Sequence, residues 1–256
     1  MAKRRQIIAG NWKMYKTIPE ALRFIEELGP KASDLPLSVY LAVPYTAISE
    51  AARAAEGKKI LIGAQNMNDA SEGAFTGEIA ARMLTDAGAR FVLLGHSERR
   101  HIFGETDAMI HLKLLRALES GIEPILCVGE TKPEREASKQ FAVVEEQLKT
   151  ALAEVKDLKK IVIAYEPVWA IGTGVTASPA DAQEMHRHIR SILEGMGGGD
   201  ISILYGGSVK PENAAALMSQ SDVDGLLVGG ASLSIEMFVE IVASATMSDL
   251  KTEGKS

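Results

Sequence analysis

The sequence predicts one domain of the α/β class over residues 1–256, a closed (β/α)₈ barrel of eight parallel strands with an outer ring of helices. Eight short runs rich in Ile, Val and Leu predict the strands, because near-continuous apolar runs are typical of parallel strands buried on both faces. Segments of helical spacing separate the runs, so each strand returns through a crossover. No linker or composition change divides the chain, and about 250 residues is the usual size of one barrel.

The predicted strands are short and almost entirely apolar. In chain order they are 7–9, 39–43, 60–64, 91–94, 125–128, 161–164, 201–204 and 226–228. We expect one face of each strand to line the barrel interior and the other face to contact helices.

Helices are predicted from their starts and from their buried faces. A hydroxyl before a proline, with an acid three residues after the hydroxyl, marks helix starts at Thr17 and Ser178. Apolar side chains recur at intervals of three and four residues in three further segments, 110–118, 141–155 and 238–245. These segments complete the alternation of strand and helix.

The composition excludes several classes of protein. With 28 Lys and Arg against 34 Asp and Glu, the net charge is −6, which argues against a general nucleic-acid partner. The single cysteine, Cys127, forms no internal disulfide and gives no sign of an oxidising compartment. The apolar stretch near the start is too short for a secretory signal or a membrane helix. We therefore expect a cytoplasmic protein with no membrane partner.

Titratable side chains follow several predicted strands, at the ends that converge on one mouth in a barrel. Asn11 and Lys13 follow the first strand, His96 the fourth and Glu166 the sixth. A poorly hydrated carboxylate removes a proton from carbon, a neutral imidazole donates to a carbonyl, and a lysine stabilises an oxyanion. Each residue alone has an ordinary explanation as a cap, a packed side chain or a solvated charge. Together at one mouth they favour an acid–base site.

Two glycine pairs follow the seventh and eighth strands, at 206–207 and 229–230. Backbone N–H groups of glycine approach an anion closely, and barrels often bind phosphate at this location. Glycine also relieves crowding at a tight turn, which would explain a single pair. Two pairs on neighbouring strands favour phosphate, and Ser208 adds a hydroxyl donor.

The connection 167–176 carries apolar residues and glycines where a polar loop is expected. Two interpretations stay open: a lid that closes over a ligand, or a loop packed permanently on the barrel rim. Gly172 and Gly174 faintly resemble a dinucleotide fingerprint, but they lie too far beyond the strand. His186 and His188 fall on different helix faces, and the usual metal-binding spacings are absent from the sequence.

Five long motifs resemble the triosephosphate isomerase family, in order and at the expected spacings from about Gln6 to the last helix. They occupy 10–14, 95–100, 164–174, 205–209 and 225–231. The resemblance implies a TIM barrel that interconverts dihydroxyacetone phosphate and glyceraldehyde 3-phosphate through an enediolate. It implies neither a metal nor an organic cofactor.

The resemblance also implies a role for each matched residue. Glu166 would be the base and His96 the neutral electrophile, while Lys13 and Asn11 would hold the substrate and its oxyanion. Ser97 and Glu98 would orient Glu166 and His96. The phosphate would be bound by Gly172, Ser208, Gly229 and Gly230, and water would be excluded from Glu166 by Ile171 and Leu233.

The family forms homodimers, and the segment 65–78 resembles the loop that inserts into the partner. Thr76 would touch the partner's active site, and Phe75 would lie either at this interface or in a local core contact. The sequence departs from the family pattern at Tyr15, at Val175 in the lid hinge and at Ser202, where an arginine is common.

Two alternatives to the isomerase are weaker. Another phosphate-binding barrel enzyme, such as a lyase or a ribose-phosphate isomerase, would usually need a Schiff-base lysine inside the barrel or a different acid–base set, and the predicted strands contain no lysine. A catalytically inactive barrel acting as a binding protein is disfavoured because Lys13, His96 and Glu166 are all present.

Overall fold

A computed structural model describes residues 4–33, 37–171 and 176–253, with side chains in the last helix as far as Ala245. Eight strands are β1 (Ile7–Asn11), β2 (Ser38–Val43), β3 (Ile60–Ala64), β4 (Phe91–Leu94), β5 (Glu123–Val128), β6 (Val162–Tyr165), β7 (Ile203–Tyr205) and β8 (Gly225–Val228). The helices are α1 (Ile18–Ala32), α2 (Ile48–Ala54), α3 (Ala81–Asp86), α4 (Ser97–His101), α5 (Asp107–Glu119), α6 (Lys132–Glu136), α7 (Gln140–Ala151), α8 (Pro179–Gly195), α9 (Pro211–Met218) and α10 (Ile235–Glu253). Within these ranges, no helix has the length and apolar character needed to cross a membrane.

The strands form a closed, all-parallel barrel in chain order, as the sequence predicts. Ile7 of β1 pairs with Ser38 of β2 on one side and with Gly225 of β8 on the other, which closes the sheet. Two strands begin later than predicted. Ile161 ends a 3₁₀ turn before β6, and the Ile201 carbonyl accepts a hydrogen bond from a helix side chain before β7 begins. Apolar runs therefore mark burial better than they mark the limits of the hydrogen-bonded ladder.

The core has two layers, one on each face of the sheet. Inside the barrel, both small and large side chains fill the space, including Ala9, Tyr40, Phe91 and Leu204. Cys127 lies in this inner layer, and burial raises the pKa of its thiol. The larger outer layer lies between strands and helices. Both faces are thus buried, which is why the strands lack polar alternation.

The two capping signals hold at the predicted positions, whereas the helical stripe predicted over 141–155 ends early because α7 stops at Ala151. Thr17 and Ser178 are the N-caps of α1 and α8, each in a capping box with the acid three residues later. The short helices α4 and α6 were not predicted, since each lies between a strand and the main helix that follows. Helix α4 begins directly after His96, so it places the next residues at the mouth of the barrel.

Candidate active site

A cavity of about 410 Å³ opens at the carboxyl ends of the strands. Loops after β1, β4, β6, β7 and β8 contribute to its wall. It brings together nine of the predicted site residues: Asn11, Lys13, His96, Glu166, Ile171, Ser208, Gly229, Gly230 and Leu233. The cavity therefore joins residues that are more than 200 positions apart in the sequence.

The Glu166 carboxylate is almost completely buried and both of its oxygens are engaged. Oε1 lies 3.1 Å from Nε2 of His96, and Oε2 accepts a hydrogen bond of 2.8 Å from the backbone N–H of Ser97. Only 2% of Glu166 is exposed, so few water molecules reach it. A carboxylate in this setting is ready to accept a proton once these donors are redirected.

The hydrogen bonds of His96 specify which ring nitrogen carries the proton. The backbone N–H of Glu98 donates to Nδ1 at 3.3 Å, so Nδ1 is an acceptor and the hydrogen belongs on Nε2. This arrangement arises because His96 caps helix α4. The imidazole therefore directs an N–H into the cavity, toward Glu166.

Lys13 brings a positive charge to the cavity. Its ammonium lies 2.6 Å from Oε1 of Glu98. Its backbone adopts the left-handed conformation, with φ of 51°, which is uncommon for a residue with a side chain. The N–H of Lys13 donates to Oδ1 of Asn11 at 3.0 Å, and Gln65 donates to its carbonyl at 2.8 Å. These contacts hold the strained backbone at both ends.

The two glycine pairs have different reasons for being glycine. A Cβ on Gly206 would lie 2.9 Å from Cγ of Glu166, and one on Gly207 would lie 2.2 Å from the Tyr205 hydroxyl. Crowding thus accounts for the first pair. A Cβ on Gly229 would have no neighbour closer than 3.7 Å, and Gly230 has open space. Crowding does not explain the second pair, whose backbone lines the cavity.

The connection after β6 begins with a fixed segment. Trp169 donates from Nε1 to Oε1 of Glu130 at 2.8 Å, and the N–H of Val168 donates to the Glu130 carbonyl at 3.1 Å. Ile171 then reaches the cavity. Gly172 and Val175 lie outside the described residues, so the choice between a lid and a packed loop stays open.

The sequence analysis missed two positions that support this site from behind. Glu130 is fully buried and receives hydrogen bonds from Tyr165 and Arg135 as well as from the segment after β6. Gln147 on α7 pairs with Gly129, accepting from its N–H at 2.8 Å and donating to its carbonyl at 3.1 Å. The signal in the sequence was that Gln147, a polar residue, interrupts the apolar stripe of α7.

Three further positions from the sequence analysis lie away from the reacting groups. Thr76 is exposed on the long connection after β3 and does not line the cavity. Tyr15 is 58% exposed at the cavity rim. Ser202 is buried and its hydroxyl donates to the Arg5 carbonyl at 2.6 Å, so it makes a backbone contact. Across the described ranges, no group of three His, Cys, Asp or Glu side chains is arranged to hold a metal ion.

Comparison with known proteins gives one consistent answer. A family model described as triosephosphate isomerase matches residues 6–245. The chain is 52% identical over 242 residues to the triosephosphate isomerase of Protochlamydia amoebophila (strain UWE25), covering 92% of both chains. It is 50% identical over 245 residues to that of Alkaliphilus metalliredigens (strain QYMF), covering 93% of this chain and 99% of the relative.

Proposed function

The chain belongs to the triosephosphate isomerase family, and from that premise we propose that the cavity at the barrel mouth interconverts dihydroxyacetone phosphate and glyceraldehyde 3-phosphate. One observation carries the assignment of the site: the buried Glu166 carboxylate faces the Nε2–H of His96, with Lys13 on the same cavity wall. Identity of 50% or more to isomerases over nearly the full length of the chain favours this activity over a lyase or an inactive barrel.

In the proposed mechanism Glu166 removes a proton from the carbon beside the substrate carbonyl and returns it to the neighbouring carbon. Without substrate, the Glu166 carboxylate contacts Nε2 of His96 and the N–H of Ser97. When substrate enters, His96 donates from Nε2 to a substrate oxygen instead, which frees that carboxylate oxygen. The enediolate oxygens carry the developing negative charge, which His96, Lys13 and Asn11 stabilise. The hydroxyl and carbonyl also exchange places, so His96 gives its Nε2 proton to one enediolate oxygen and regains a proton from the other, which balances the reaction.

The phosphate dianion binds in the same cavity, at the backbone of Gly229 and Gly230 and at the Ser208 hydroxyl. The open space around this glycine pair supports the proposal, since an anion needs room to reach the backbone N–H groups. We assign Gly172 to the same phosphate site by the resemblance. Ile171 and Leu233 cover the carboxylate and keep water from it.

We also propose that the protein is a homodimer. Large apolar side chains are exposed on connections that follow three strands at the same end of the barrel: Met14 after β1, Phe75 after β3, and Ile102 and Phe103 after β4. Clustered exposed apolar side chains are typical of an interface. In this arrangement Thr76, at the tip of the same region, reaches the active site of the partner. A single domain over residues 1–256 and a cytoplasmic location complete the proposal.

The central test is Glu166→Gln, which removes the base and keeps the shape of the side chain. We expect kcat to fall about a thousandfold, within the range that general-base catalysis contributes, while circular dichroism and the thermal midpoint stay close to wild type. Glu136→Gln is the matched control, because Glu136 lies in an exposed pair with Lys132. Near-normal turnover of the Glu166 variant in a coupled assay, with a chelator present and no added cofactor, would contradict the assignment.

A further inference from the structure

Two loops of the cavity meet at a contact that the proposed reaction does not use. We call residues 12–17, between β1 and α1, the first loop, and residues 229–234, between β8 and α10, the eighth loop. The ammonium of Lys16 in the first loop donates a hydrogen bond of 2.9 Å to the backbone carbonyl of Leu233 in the eighth loop. The contact therefore joins the loop that carries Lys13 to the loop that carries Gly229 and Gly230.

Lys16 is held in an unusual conformation to make this contact. Its φ is 71°, in the left-handed region that residues with a Cβ rarely adopt. The ammonium lies 4.7 Å from the ring centre of Phe24 and 5.3 Å from that of Trp12. Non-glycine residues persist in this region when their surroundings fix them, and such positions concentrate at ligand-binding segments. The rings and the carbonyl together fix the side chain.

The eighth loop is also attached through buried Ser232 and through the packing of Leu233 against the core, and Lys16 adds the charged contact. The Ser232 hydroxyl donates to the Gly229 carbonyl at 2.7 Å, which is a bond within the loop. The same hydroxyl lies 3.5 Å from the carbonyl of Asn11, at the end of the loop near β1. Leu233 comes next in the chain and faces the cavity. Lys16 thus fastens the far end of the loop, where the cover over Glu166 is expected.

We propose that Lys16 is a positioning residue that holds the eighth loop in its substrate-binding conformation, an inference that rests on the proposed function. Lys16 does not line the cavity, so it acts through the backbone of Leu233 and through the phosphate-binding glycines. When only a fraction of molecules has the competent loop, the apparent dissociation constant rises by the inverse of that fraction. At saturation the substrate itself selects the competent loop, so kcat is nearly unaffected.

The experiment compares three variants with wild type in KM, kcat and the dissociation constant of 2-phosphoglycolate, measured by calorimetry. Lys16→Met keeps the aliphatic contact with the rings but removes the donor, and Lys16→Arg keeps a cationic donor. Lys149→Met is the matched control, because Lys149 is an exposed lysine that pairs with Glu145 one turn away on α7. For Lys16→Met we expect KM and the dissociation constant to rise about tenfold, the size of effect for one hydrogen bond to a charged group, with kcat within about twofold. Lys16→Arg should recover most of both.

Several results would overturn the inference. Unchanged KM and binding in Lys16→Met would show that the contact does not hold the loop. A lower kcat with normal KM in Lys16→Met would indicate a general loss of active protein. A defect of the same size in Lys16→Arg would show that the effect depends on side-chain shape and not on the cationic donor. Should Lys16→Met fail to fold, Lys16→Gln, which is too short to reach Leu233, is measured in its place. A wild-type protein without isomerase activity would instead refute the proposed function.

Discussion

His186 offers a quantitative test of how burial controls the stability of this barrel. The side chain lies on α8, fully buried against the rings of Tyr165 and Tyr205. Its Nδ1 lies 3.1 Å from the Asp222 carbonyl, so the hydrogen belongs on Nδ1. Among the described residues Nε2 has no hydrogen-bond partner. Protonation would therefore place an N–H and a charge in an apolar space.

The structure sets both the size and the sign of the effect. Burial lowers the pKa of His186 from 6.5 to about 4; the nearby Arg190 charge also lowers it, and the Asp222 carbonyl partly opposes the change. At about 1.4 kcal/mol for each tenfold change in proton affinity, this amounts to about 3 kcal/mol. The unfolded chain takes up a proton below about pH 6.5 and the folded chain does so only near pH 4. Stability is therefore lost as the pH falls between these values and levels off below them.

The perturbation is His186→Asn, which does not titrate and retains an N–H donor for the Asp222 carbonyl. Urea unfolding at several pH values and one protein concentration gives the free energy of unfolding for both proteins. Subtracting the variant from wild type cancels the other titrating groups. We expect wild type to lose about 2 kcal/mol relative to the variant between pH 7 and pH 5, which is most of the linkage. Parallel curves for the two proteins would refute the argument, and His186→Gln provides a second comparison.

Three further changes test the support of the active site and the proposed assembly. Gly129→Ala would place a Cβ 1.8 Å from the Glu166 carbonyl oxygen, so we expect kcat to fall at least about a hundredfold because the base is displaced; a coupled assay on folded protein giving normal kcat would contradict this. Gln147→Met removes both hydrogen bonds to Gly129. We expect kcat to fall about tenfold with little change in KM. The control is Leu148→Ala on the same helix, which should lower the thermal midpoint without lowering kcat. Thr76→Arg should convert a dimer into a monomer of 27.5 kDa in light scattering, and an unchanged mass would argue against Thr76 at the interface.

Local chemistry in the sequence predicted most of the architecture. Apolar runs and capping signals act over a few residues, so they identified the eight strands and the starts of α1 and α8. Closure of the barrel followed from counting units, since a right-handed crossover repeats at each step. The same reasoning placed Lys13, His96 and Glu166 at one mouth, because strand ends converge there whatever the loop details.

Reasoning from patterns failed where a residue acts through a distant backbone. Gln147 appears in the sequence as a polar interruption of a helix face, and its partner Gly129 is 18 positions away. Lys16 appears as a surface lysine near a helix start, and the carbonyl it binds belongs to Leu233, 217 positions later. Neither partner is identifiable from spacing, because a backbone carbonyl or N–H is present at every position and carries no sequence signal.

The sequence by itself determined the fold class, the family and most of the side chains that line the cavity. These depend on local periodicity and on long motifs whose spacing survives in one dimension. Only the tertiary structure decided that Glu166 has both oxygens engaged, that His96 carries its proton on Nε2, and that the two glycine pairs differ in their surroundings. The contact of Glu166 with His96 joins groups 70 positions apart, and its distance of 3.1 Å exists only after the barrel has closed. The other two depend on the conformation of the loops that the closed barrel holds in place.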